Sequence, residues 1–175
     1  NNSAASSEKT APAAQEESKA VDFYMFKGEM PEGYGLTGPN GNSSPLNIVE
    51  FRNIESPDKI VDVEIDEGTA QEQFDKAAAK DKYTAGDDFK LGKYTWKTLN
   101  FTWNKQPSVV LYSDIADGLY AEVTLYETTL DDAAVKAFLE GVEFATDYDA
   151  AHKAGMDTTV EKFAADNNLT LWEAK

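Results

Sequence analysis

Residues 59–66 read KIVDVEID. Val61, Val63 and Ile65 alternate with Asp62, Glu64 and Asp66. That is the period-two signature of a strand with one face buried, and it assigns the carboxylates to a solvent face. Working upstream, Pro57 and Asp58 make a turn. Before them LNIVEFRN (46–53) is a second strand, whose adjacent Ile48 and Val49 imply cover on both faces. The GPNGNSS loop (38–44) precedes it, and two short strands, 23–26 and 33–37, flank a Met-Pro-Glu-Gly turn. Downstream, a helix spans 69–82. Thr69 and Glu72 have capping-box spacing there, and Ala70, Phe74, Ala77 and Ala78 form a thin apolar stripe. Four more strands follow at 89–91, 94–103, 108–114 and 119–126. Leu91-Gly92-Lys93 and Asp117-Gly118 turn them into antiparallel neighbours. A second helix, 129–140, is capped by Thr129, has Asp131 and Asp132 at its positive end, and closes at Gly141. Short strands interrupted by two helices predict an α+β fold: an antiparallel β-sheet sandwiched by helices.

The first twenty residues contain no Val, Ile, Leu, Met or aromatic residue. Such a stretch buries too little apolar surface to offset its ordering entropy, so 1–20 is expected to be a flexible tether. Of 175 residues, 155 then remain, the size of one domain with a core that needs no staples. Cysteine is absent, which excludes disulfides, thiolate metal sites and a thiol nucleophile. The formal charge is −16. An acidic surface repels nucleic acid and anionic lipid, so the expected partners are an unknown protein or a small ligand, cationic or neutral. The chain is expected to be a monomer. No apolar run approaches the 18 or more residues of a membrane span.

Three segments resemble the PsbP-like fold family: FYMFKGEMPEGYGLT (23–37), SDIADGLYAEVTLYE (113–127) and DDAAVKAFLEGVEF (131–144). The likeness covers about residues 21–145 and leaves 146–175 as a C-terminal helical extension. Known members are the extrinsic photosystem II subunit, a nuclear-import factor that binds the Ran GTPase, and bacterial lipoproteins of unassigned role. The resemblance implies an accessory or binding module rather than an enzyme, with no cofactor, and it transfers no site residue. The tether resembles the segment that follows the lipid-modified Cys of a bacterial lipoprotein. The expected location is therefore extracellular, at a bacterial cell surface, with membrane attachment only through an N-terminal lipid anchor.

Candidate sites are few. His152 is the only histidine and no G-x-S-x-G elbow occurs, so a His-based triad has little to stand on. Asp147, Asp149 and His152 offer oxygen and imidazole ligands for a divalent metal, with Asp149 and His152 one helical turn apart. Tyr94, Trp96 and Trp103 share a long strand and offer ring faces to a sugar or peptide. Tyr94 and Trp96 fall on one face and Trp103 on the other, and central-strand aromatics are more often core. The surplus of Asp and Glu also admits a carboxylate-based glycan hydrolase, which needs two facing carboxylates, one with a raised pKa. In the extension, Thr158 and Glu161 predict a helix over 158–167 that ends at Asn167-Asn168. Leu169, Leu171 and Trp172 then form an apolar patch, expected to dock on the sheet.

Overall fold

The computed structural model describes residues 19–174. The tether expected over 1–20 lies outside them except for Lys19 and Ala20, which are exposed. The strands are β1 (Val21–Asp22), β2 (Phe26–Gly28), β3 (Tyr34–Thr37), β4 (Val49–Asn53), β5 (Ile60–Glu67), β6 (Thr84–Ala85), β7 (Phe89–Leu91), β8 (Tyr94–Trp103), β9 (Gln106–Ala116), β10 (Leu119–Tyr126) and β11 (Glu143–Phe144). The helices are α1 (Ala70–Ala78), α2 (Ala133–Gly141), α3 (Tyr148–Met156) and α4 (Val160–Asp166). The large sheet runs β3-β4-β5-β10-β9-β8-β6 with antiparallel named pairs, and β7 pairs with the same edge of β8. A small sheet, β1-β2-β11, is separate. The α+β class with helices on both faces of an antiparallel sheet is the class read from the sequence.

The inner face of the large sheet carries the main core. Val61, Val63 and Ile65 of β5 meet Phe51 of β4, Val123 of β10 and Leu111 of β9. Over them lie Val135, Phe138 and Leu139 of α2, Ala151 of α3, and Val160, Phe163 and Ala164 of α4, with Phe26 and Phe144 from the small sheet. The aromatic side chains interlock edge to face: Phe51 and Phe138 have ring centroids 5.3 Å apart, and Phe26 and Phe138 5.7 Å. α3 and α4 thus belong to the same core as 21–145. The 145/146 boundary of the resemblance does not mark an edge in the packing. The outer face holds a smaller cluster, in which α1 (Ala70, Ala77, Phe74) covers Leu99, Phe101, Val110, Tyr112 and Tyr120.

Several sequence readings need correction. Residues 23–26 are a tight turn, not a strand. Phe23 N–H donates to the Phe26 carbonyl (2.8 Å), Tyr24 takes a left-handed φ of 71°, and the Phe23 and Phe26 rings stack at 4.8 Å. The strand begins at Phe26 and pairs within the small sheet rather than with β3. α1 stops at Ala78, because the chain turns back through Lys80 to place Tyr83 on the outer cluster. α2 is capped by Asp132, not Thr129: Asp132 Oδ1 accepts from Ala134 N–H while its Oδ2 accepts from Tyr34 Oη (2.9 Å). Burial and this bond to Asp132 push the Tyr34 hydroxyl up to about 12. Thr159, not Thr158, caps α4. α3, capped by Asp147, had only the Asp149–His152 spacing as a sequence signal.

The end of the chain closes the β3 edge. Leu36 N–H donates to the Thr170 carbonyl and Trp172 N–H to the Leu36 carbonyl, both at 2.8 Å, which makes a parallel bridge to Leu171. Gly35 allows this approach, since a Cβ there would lie 2.9 Å from Trp172 N. Asn42 Nδ2 also donates to the Trp172 carbonyl (3.1 Å). The patch expected to dock on the sheet does so, as a strap along its edge.

Candidate binding face

The outer face of β4, β5 and β10 lies to the side of α1. Strand register sets its side chains in rows. Arg52, Ile60 and Tyr126 form one row; Glu50, Asp62 and Thr124 the next; then Glu64 and Glu122, followed by Tyr112 on β9. Asp66 stands opposite Tyr120. The carboxylates assigned from the sequence to a solvent face are not freely solvated. Asp66 is exposed, but Asp62, Glu64 and Glu122 are half-buried, and Glu50 is only 4% exposed. Pairing opposes acid to acid, Glu50 to Asp62 and Glu64 to Glu122, and their neighbours are mostly tyrosines.

Like charges that close cannot both ionise at low cost, so a proton is held in their place. Burial, then the charge of and hydrogen bonding to Glu50, pushes Asp62 up to about 8; Arg52 opposes the shift. Hydrogen bonding to Glu122, then burial, pushes Glu64 up to about 8. Burial and Glu122 also drive the Tyr112 hydroxyl upward. Arg52 reaches Glu50 (3.3 Å) and stacks its guanidinium 4.6 Å from the Trp172 ring, so the strap borders this face. Among the described residues, Asp62 Oδ1 is buried without a hydrogen-bond partner.

The proposed aromatic ligand site does not assemble. Trp96 is fully buried in the main core, and Tyr94 is half-buried there with its hydroxyl accepting from Phe144 N–H (2.8 Å). Trp96 therefore presents no ring to a ligand, and Tyr94 lies apart from Trp103 at the other end of β8. Trp103 is 45% exposed and leans on Tyr126, ring centroids 5.2 Å apart, at the rim of the carboxylate face. The Asp147, Asp149, His152 metal site does not assemble either. Asp147 is used as the α3 cap, accepting from Ala150 N–H (3.1 Å), and His152 stacks on Tyr148. Among the described residues no group of three His, Cys, Asp or Glu is arranged to hold a metal. Asp147 and Asp149 instead line an open hollow of about 470 Å³ with Glu67, Asp117 and Tyr148. The carboxylate pairing could have been read only from strand register, which alternation along one strand does not specify.

No family model matches the chain, and no curated protein matches it. Among solved structures it is similar to a cyanobacterial PsbP from Synechocystis, with 14% identity, 72% of this chain and 90% of that chain covered, and a TM-score of 0.43. It is similar to LpqN, involved in cell envelope biogenesis of Mycobacterium tuberculosis (10% identity, 69% and 83% covered, TM-score 0.42). It is also similar to a protein of Bacteroides thetaiotaomicron (10% identity, 70% covered, TM-score 0.41), of which it spans 46%.

Proposed function

We propose that this chain is a non-catalytic binding or accessory module, held at a bacterial cell surface by an anchored tether, and that it engages its partner through the outer face of β4, β5 and β10. The carrying observation is that face itself. It sets pairs of buried and half-buried carboxylates one row from Tyr126, on which the exposed Trp103 leans, to the side of α1. Structural residues are seldom left in so costly a state without a role. The apolar-poor composition of residues 1–20 supports the tether.

One observation favours a second reading. Facing carboxylates with raised pKa values exist here, as a glycan hydrolase requires. Their spacing speaks against it. Register sets Glu64 directly opposite Glu122, as neighbours on adjacent strands, whereas retaining enzymes place their two carboxyls on either side of a sugar carbon, about 5–5.5 Å apart, and inverting ones about 6.5–9.5 Å.

The test is photo-crosslinking in the native organism. A crosslinking side chain at Thr124, on the face, is expected to capture a discrete partner, and one at Lys136, on α2, is not. Fatty-acid labelling of the full-length precursor checks the anchor. Equal capture at both positions, or a hydrolytic activity abolished by Glu64→Gln, would overturn the proposal.

A further inference from the structure

We infer that the outer face receives an extended basic segment of a protein partner, laid along β5 with alternate lysine or arginine side chains over Asp62, Glu64 and Asp66. The inference rests on the reading of this face as the binding surface and names what it takes. Charge complementarity selects the occupant. Glu50, Asp62, Glu64, Asp66 and Glu122 share the face; the cations that border it are already engaged, Arg52 by Glu50 and Trp172, and Lys97, beyond Tyr112 in the Glu64–Glu122 row, by Asp88 and Phe74.

Spacing selects its conformation. Alternate residues of a strand recur about every 6.6–6.8 Å, so the three β5 carboxylates repeat at the interval of alternate side chains in any extended peptide. Each also offers more than one acceptor. Register sets Asp62 beside Glu50 and Glu64 beside Glu122. A lysine ammonium, with three donors, spans both acids of a pair. Trp103 and Tyr126 at the rim provide ring faces for the aliphatic stems and for cation–π contact.

A cation entering between two acids displaces the proton they hold, so binding should release protons near neutral pH. The groups that face this proton are Glu50, Arg52 and Glu122 from the neighbouring strands, Asp66 on β5 itself, and the hydroxyls of Tyr112, Tyr120 and Tyr126.

The experiment is calorimetric titration of the full chain at pH 7.5 with the blocked peptide Lys-Thr-Lys-Thr-Lys, in two buffers of different ionisation enthalpy. One-to-one binding with net proton release is expected. Asp62→Asn or Glu64→Gln should weaken it at least tenfold. Glu161→Gln on α4, which removes the same charge at a distance, should change it less than twofold. Lys-Lys-Lys-Thr-Thr, equal in charge but without alternation, should bind more weakly. No binding, equal weakening by all three variants, or no preference for alternation would overturn the inference. So would calcium or a neutral oligosaccharide competing for the face more effectively than the peptide. Thr124 crosslinks to a partner segment without basic side chains would sink this inference and leave the binding module standing.

Discussion

Asp62 and Glu64 point outward from the sheet yet keep their protons well above the usual carboxylate range: for Asp62 through burial and then the opposing Glu50, for Glu64 through hydrogen bonding to the opposing Glu122 and then burial. The folded state holds those protons and the unfolded chain, with ordinary carboxyls near 4, does not. Their contribution to stability is therefore complete below about pH 4 and is lost as pH rises through about 8. Glu64→Gln and Asp62→Asn keep the shape and remove the charge. Each is expected to raise stability at pH 8.5 by about 1 kcal/mol and to flatten its pH dependence, as read by urea denaturation at pH 5 and pH 8.5. Gly35 makes the opposite kind of demand. A Cβ there meets the backbone of Trp172, which cannot yield like the end of a flexible side chain. Gly35→Ala is expected to cost about 1–3 kcal/mol and to speed hydrogen exchange at the Leu36 and Trp172 amides, which pair across that edge.

The strap and the hairpins are the elements on which local signals and tertiary context diverge. β8 and β10 lie where the sequence puts them, 94–103 and 119–126, because aromatic and β-branched runs there end at strong turns. The turn between β8 and β9 went unread. Asn104 and Lys105 both take positive φ (47° and 64°), a two-residue connection without the usual glycine. Helix starts were legible only to within a few residues, since Thr129 and Asp132 are both good caps. Tyr34, 98 positions away, decides between them by bonding to Asp132. The strap's docking was legible from Leu169, Leu171 and Trp172; its parallel pairing with Leu36 was not. Leu171 and Trp172 are half-buried, so deleting 169–175 is expected to remove about 1–3 kcal/mol and lower the melting temperature by about 3–10 °C in a thermal scan. An unchanged scan would show that the strap adds nothing to the domain.

At the scale of the whole molecule, one core ties 21–145 to α3 and α4, and among the described residues one face of the sheet is acidic and only partly covered. The inner core was readable because alternating apolar residues announce it. The candidate site was not, because its chemistry lies between strands: Glu50 and Glu122 are remote in sequence from Asp62 and Glu64. With several acids crowded together, global stability is expected to fall by on the order of 1–3 kcal/mol between pH 5 and pH 8.5, a loss that salt should reduce. Calorimetric scans across that range at two ionic strengths check it. The most direct measurement of the face is a carboxyl ¹³C NMR titration of the intact chain, following Asp62 and Glu64. The expected result is that both signals remain those of protonated carboxyls at pH 6 and change between pH 7 and 9. If both instead titrate near pH 4, the acids are ordinarily solvated, and the outer face is no poised cation-binding surface.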